Sequence, residues 1–326
     1  MTMRNLTVTV LALGLLPAAS GLAVAAPPKP YPSKDIHVVS AFPPGSGADV
    51  LVRFFAEHLR PIAGRNIIVE NKSGAGGNIA TEYVAKAKPD GYTIFIHAGN
   101  TLASNYHLIR NNKVDATKQI QVAATINRQA FMLVVDKDKP WKNVDELTAY
   151  LKQKGEKGTY AFAANGGAVM CAIYKQRAGL KTVDVGYKMA QDSLNDMASG
   201  AVDFGCQDPV FALSQAREGR LRILGIASKD RLSAVPDIPT MAEQGYPMDL
   251  IGWFAVMVPA ATPRPIVNQI NGWFTKIHQD PTTAKFLINY GGVPWTASPD
   301  EGQARLLRDI KDWGDYVRIA KLKPQG

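Results

Sequence analysis

Between Ile36 and Arg53 the chain reads IHVVSAFPPGSGADVLVR, and this stretch limits the fold more than any other. Ile36, Val38 and Val39 form a β-branched apolar run, while Leu51, Val52, Phe54, Phe55 and Leu59 recur at helical spacing. Two prolines and Gly45-Ser46-Gly47 lie between them, which gives a strand, a small-residue loop and a helix start. Glycine lets backbone amides approach a guest closely, and the first turn of a helix offers free N–H donors at the positive end of its dipole. An anionic or carbonyl group suits such a loop. Strand-to-helix turns occur in every α/β protein, so a purely structural turn is the competing reading.

The pattern continues. Strand Ile67–Glu70, the turn Ser73–Gly77, a helix over Asn78–Ala87, the stop Pro89-Asp90-Gly91 and strand Tyr92–His97 follow in order. A β-α-β-α-β order implies parallel strands joined by right-handed crossovers, with the loops at the strands' carboxyl ends on one edge. The first loop and Gly99, Asn100 and Thr101 are therefore expected to face one crevice. From about Ile120 the pattern restarts, with strands expected at Phe131–Val135, Thr159–Ala163, Val183–Val185, Val202–Cys206 and Leu221–Ala227, and helices between them. After the apolar run at Trp253, helices are expected over Pro265–His278, Thr282–Asn289 and Pro299–Ala320, packed back on the first lobe without further strands. The division that results is α/β with two lobes: residues 27–129 with 257–326, and residues 130–256, with a ligand cleft between them.

The 37 Lys and Arg residues against 28 Asp and Glu give a formal charge of +9. They are scattered, without a dense run or an aromatic-and-basic motif, so nucleic acid is not expected as a partner. At the N-terminus, Arg4, the apolar run Leu6–Leu16 and the small residues ending in Ala23-Val24-Ala25 read as a secretory signal over residues 1–26, cut after Ala25 or Ala26. Cys171 and Cys206 are the two cysteines. Two separately buried thiols are expected, with pairing in an oxidising compartment as the alternative.

Catalytic and cofactor patterns are missing from the sequence. There is no H-E-x-x-H, and the five histidines show no metal-ligand spacing. Pro43 and Pro44 rule out a nucleophile elbow at Gly45-Ser46-Gly47. The glycines at 74, 76 and 77 match neither the dinucleotide fingerprint nor a phosphate loop, so no metal and no cofactor is expected. What remains is polar loops. Asn165-Gly166-Gly167 follows the strand at Thr159 and offers a second helix start across the cleft. Asp208 either selects a ligand's hydrogen-bond donor or caps the helix that begins with Pro209 and Val210. Asp49 likewise either faces the ligand or supports the helix start and pairs with Arg53.

Several short words carry a resemblance along nearly the whole mature chain. They are YPSK at Tyr31–Lys34, FPPG at Phe42–Gly45 with Asp49 and Arg53, VENKSGAGGN at Val69–Asn78, and PDGYT at Pro89–Thr93. Tyr187-Lys188, GAVD at Gly200–Asp203, PDIPT at Pro236–Thr240 with Glu243 and Gly245, and PAATP at Pro259–Pro263 follow in the same order. In these words the chain resembles the substrate-binding component of tripartite tricarboxylate transporters, the Bug family of periplasmic solute receptors. The resemblance implies a type II periplasmic binding fold that closes like a flytrap on a small organic carboxylate, held largely by backbone groups and water. It implies membrane transporter subunits as partners, a periplasmic, monomeric protein and no catalysis. It carries over Phe42, Pro43, Gly45, Ser46, Gly47 and Asp49 from the first loop, and Asp208 from the second lobe, as ligand-binding residues. A ligand-dependent sensor partner is an alternative, as is an exported hydrolase using Ser46 or Cys171. The chain departs from the family pattern at Ser46, where relatives carry glycine, and around Asn165–Met170, where their Gly-Ser and His-Leu are replaced.

Overall fold

The computed structural model describes residues 30–187 and 189–324. The expected secretory signal and its cleavage site lie outside these residues, as does Lys188. In chain order the first elements are β1 (Ile36–Ser40), α1 (Gly47–Ala63), β2 (Ile67–Asn71), α2 (Asn78–Ala85), β3 (Thr93–Ala98), α3 (Gly99–Leu108), α4 (Ala116–Gln119) and β4 (Ile120–Ala130). They are followed by β5 (Met132–Asp136), α5 (Val144–Lys154), β6 (Thr159–Phe162), α6 (Asn165–Arg177), β7 (Val183–Gly186), α7 (Ser193–Ser199), β8 (Phe204–Gln207), α8 (Pro209–Arg217) and β9 (Leu221–Ile226). The chain closes with β10 (Ile251–Pro259), α9 (Arg264–Gln279), α10 (Pro281–Asn289), β11 (Gly292–Pro294) and α11 (Pro299–Ile319).

The strands form a six-stranded sheet, β11-β4-β10-β3-β1-β2, and a five-stranded sheet, β7-β6-β8-β5-β9. Both are mixed rather than mostly parallel. Strand β1 pairs in parallel with β2 and β3, as its β-α-β connections require, with Val38 opposite Val69 and Ile94. Strand β10 arrives from the other lobe and runs antiparallel to β3 and β4. In the second sheet β6 is parallel to β7 and β8, and β5, which also arrives from across the molecule, is antiparallel to β8 and β9.

The chain crosses between the sheets at Phe131, the single residue between β4 and β5, and again where β10 begins at Ile251. Residues Ile251–Val256 therefore belong to the first sheet, not to the second lobe where the sequence had placed them. Strand β4 was not expected from the sequence, which placed a strand only at Phe131–Val135, and the three-residue β11 had no sequence signal.

Apolar residues fill both faces of each sheet. Leu51, Val52, Phe55 and Leu59 of α1 meet Val267, Ile270 and Phe274 of α9 and the β1–β3 face in one buried cluster. Helix α11 lies on α3 and β4, as expected of a helix returning to the first lobe, and it also touches α6. At the crossing, fully buried Trp253 donates from its indole to Asp309 Oδ2 at 2.6 Å, Arg305 Nε donates to Asp309 Oδ1 at 2.6 Å, and Arg305 Nη2 donates to the Ile251 carbonyl at 3.0 Å.

Cys171 of α6 and Cys206 of β8 form a disulfide, with their Cα atoms 5.8 Å apart. This corrects the expectation of two separate thiols. Helix start and strand end lie side by side in the fold although 35 residues separate them in sequence. A closed loop of this length removes about 4 kcal/mol of freedom from the unfolded chain in the loop-entropy treatment. The double replacement Cys171→Ala with Cys206→Ala should therefore lower the unfolding free energy by about 2–4 kcal/mol, read as an earlier urea midpoint than that of the oxidised protein.

Candidate functional site

The loop between β1 and α1 is held by side chains rather than by a core. Ser46 caps α1: its hydroxyl accepts from the Asp49 amide at 3.3 Å and donates to the Pro43 carbonyl at 2.9 Å. Gly45 adopts φ 79°, a left-handed conformation that few side chains tolerate. The Asp49 carboxylate has no exposed surface. It accepts from the Gly45 amide at 2.9 Å, Arg53 Nε at 2.8 Å, Asn71 Nδ2 at 2.5 Å and the Ser40 hydroxyl at 3.3 Å. Asn71 also donates to the Phe42 carbonyl at 2.9 Å and accepts from Arg53 at 2.8 Å.

Burial pushes the Asp49 carboxyl upward, but the Arg53, Gly45 and Asn71 donors outweigh it and hold the group below the usual carboxylate range. With every oxygen engaged, Asp49 has no face for a ligand; it positions the loop. Of the other first-loop candidates, Pro43 and Gly45 are exposed, and Phe42 packs half-buried against Phe254 and His97.

Gly47 marks where the lobes meet. A Cβ at this position would stand 2.4 Å from Val210 Cγ1 of α8, so glycine is what allows the first loop to touch the second lobe. The second contact is polar. Asn165 Nδ2, at the start of α6, lies 3.2 Å from Ser104 Oγ and 3.5 Å from Asn105 Oδ1 of α3. Asn105 in turn donates to the Gly76 carbonyl at 2.8 Å, which ties in the turn before α2. Helices α2, α3 and α6 all begin without a side-chain cap, so their first-turn amides depend on other partners.

The expected trio Gly99, Asn100 and Thr101 is not a loop but the first turn of α3. Gly99 lies against Trp253, where a Cβ would be 2.4 Å from the indole. Asn100, with Gly166 and Phe131, faces a cavity of about 310 Å³ at the chain crossing, lined also by Arg305 and Asp309. Thr101 is half-buried. The residues of α3 that reach the second lobe are Ser104 and Asn105, one turn further on. Gly166 and Gly167 are buried packing glycines, pressed against the Phe131 ring and the Cys206 carbonyl.

Asp208 caps α8 by accepting from the Phe211 amide at 3.1 Å. It keeps some accessible surface but sits deep among protein atoms, and burial raises its carboxyl above the ordinary range against the pull of the capping amides. A larger cavity of about 940 Å³ opens from Gly76, Asn105 and Asn165, between walls that include Tyr160, Phe162 and Leu108. Among the described residues no cluster of three or more His, Cys, Asp or Glu side chains could hold a metal ion.

A sequence profile described as the tripartite tricarboxylate transporter family receptor matches residues 51–321. The chain belongs to this receptor family. Protein BugT of Bordetella pertussis is 30% identical over 328 residues, covering 98% of this chain and all of that protein. Among solved structures, an R. palustris protein with adipate superposes with TM-score 0.83 at 28% identity, covering 90% of this chain and 100% of its own. MatC of Rhodopseudomonas palustris with bound malate gives 0.77 at 25% identity, covering 88% of this chain and 100% of its own. The periplasmic binding protein BugD gives 0.79 at 26%, covering 90% and 100%. The receptor family is not an enzyme family, and the two-lobed architecture is its fold.

Asp49 also makes the receptor's acid stability testable. Its folded pKa lies below the unfolded value of about 3.9, so its contribution is complete above that pH and is lost as pH falls through the folded value. Asp49→Asn should unfold at lower urea concentration at pH 7. It should also lose less stability than the parent between pH 5 and pH 2, measured by urea titration across that range.

Proposed function

We propose that the receptor captures a small organic carboxylate, mono-, di- or aromatic, in the cleft between its lobes and delivers it to a tripartite tricarboxylate-type transporter. In this reading the protein is exported to the periplasm and works as a monomer, with the lobe of residues 31–130 and 251–324 closing against residues 132–250. The observation that carries it is the meeting of two uncapped helix starts at the cleft, α2 beside Gly76 and α6 at Asn165, bridged by Asn105 in the second turn of α3. Amide donors at helix starts bind carboxylates without a dedicated arginine. The solved relatives that hold adipate and malate support the same ligand class.

Calorimetry and melting curves against adipate, malate, benzoate and phthalate, with the acid recovered afterwards, provide the test. At a hundredfold excess over Kd a true ligand adds about 2.7 kcal/mol of stability, which a melting curve reads directly. The expected result is one acid that binds and is recovered unchanged. Binding of none, or recovery of a transformed molecule, would sink the reading.

Asp208 is the side chain we assign to selection within that class. Asn retains the capping oxygen while removing the carboxyl group, so Asp208→Asn should keep the melting temperature close to the parent's. Its ranking of acids should shift toward plain carboxylates and away from those with hydroxyl groups. An unchanged ranking would leave Asp208 as a cap alone.

A further inference from the structure

His97 is a buried polar side chain left without a partner on either ring nitrogen. It sits near the end of β3, directly before Ala98, the cap residue of α3, and only 2% of its surface is accessible. Its ring packs 5.1 Å from Phe42 of the first loop and 5.1 Å from Phe95. Neither ring nitrogen has a hydrogen-bond partner among the described residues, and neither reaches the surface. Burial in these apolar surroundings pushes its pKa down to about 3, so the ring is neutral and carries one N–H donor and one acceptor nitrogen. Buried polar groups in folded proteins almost always have partners, and an exception calls for one.

The roof over this ring is unusual in its own right. Gly74, Ala75, Gly76 and Gly77 all have positive φ, at 126°, 46°, 59° and 89°. Ala75 is the costly member, because a Cβ is strained in that region. A Cβ on Gly77 would lie 2.6 Å from His97 Nε2, so the turn rests on the ring with no side chain between them. On its other side the same turn lines the large cavity through Ala75 and Gly76. One strained turn thus separates an orphan donor from the space where the two lobes meet.

We propose that His97 reads the ligand: when an acid occupies the cleft, the Gly74–Gly77 turn shifts and a ring N–H of His97 donates a hydrogen bond to the acid's carboxylate. The proposal rests on the carboxylate reading above. It adds a side-chain donor from the first lobe to a grip otherwise made of backbone amides. The competing role is a core histidine that only stacks between Phe42 and Phe95.

His97→Phe separates the two roles, since it preserves the stack and removes both nitrogens. With the acid that gives the largest melting rise among adipate, malate, benzoate and phthalate, calorimetry should show at least a tenfold weaker Kd for His97→Phe. Its melting temperature without acid should match or exceed the parent's, because a buried unpaired group has been removed. In the parent protein labelled with ¹⁵N-histidine, the His97 ring signals should move as the acid is titrated. Parent-like affinity in His97→Phe, or ring signals unmoved at saturation, would overturn the proposal; if the variant does not fold, the ring signals decide. If the parent binds none of these acids, the carboxylate reading falls and takes this proposal with it.

Discussion

The buried carboxylate of Asp49 is the interaction on which the first half of the site depends. Its partners come from β1 through Ser40, from the loop through Gly45, from α1 through Arg53 and from β2 through Asn71. A loop of prolines and glycines has little side chain to bury and would otherwise sample many shapes, at an ordering cost of about 1–2 kcal/mol per residue. One ionised group that satisfies donors from four segments fixes that shape without a core. Removing it would leave Arg53 and Asn71 facing each other without the anion that organises them, which is more damaging than the loss of a single surface pair.

The second lobe solves the same problem covalently. The Cys171–Cys206 bridge joins the helix that starts at Asn165 to the strand that leads to Asp208, which fixes the spacing of these two candidate contacts. At the crossing, Trp253, Asp309 and Arg305 fasten α11 to the strand β10 that carries the chain back. Burial favours the neutral form of Asp309, while the Arg305 guanidinium and the indole N–H favour the ion; burial has the larger effect and the carboxyl is raised. A polar cluster of this kind has two directional contacts to satisfy, and it places α11 more specifically than apolar packing alone would.

Much of the architecture was legible because its signals are local. The β1–loop–α1 unit announces itself through β-branched alternation, a Pro-Gly turn and helical spacing, and the parallel pairs follow from β-α-β order. Strand β4 was hidden because only Phe131 separates it from β5, so no turn residue punctuates the change of sheet. The role of Asp49 was open in the sequence because an acid at a helix start serves either a ligand or the dipole, and only burial decides. Gly99–Thr101 read as a loop because α3 starts at once after β3 with no turn residue between; the α3 side chains that touch Asn165 lie one turn further on, at Ser104 and Asn105. His97 was within reach: it shares the Phe95 face of β3 at period two, and a histidine on a buried apolar face is a question in itself.

How firmly the lobes hold together without a ligand follows from what crosses the cleft. Gly47 touches Val210 by van der Waals contact, and the Asn165 amide reaches Ser104 and Asn105 at 3.2 and 3.5 Å. Neutral hydrogen bonds of this kind contribute about 0.5–1.5 kcal/mol net, and the longer one at the limit of distance contributes less. The packing of α11 on α6 and of Gly291 against Leu213 and Pro209 adds to these contacts in joining the two lobes. A ligand shifts an equilibrium only by its difference in affinity for the two arrangements. In the proposed reading, an acid that bridges amides at the starts of α2 and α6 engages both lobes only when they are together, and that engagement counts toward closure. The Asn165–Ser104–Asn105 contact holds the start of α6 against α3, and so fixes which groups of the two halves face each other.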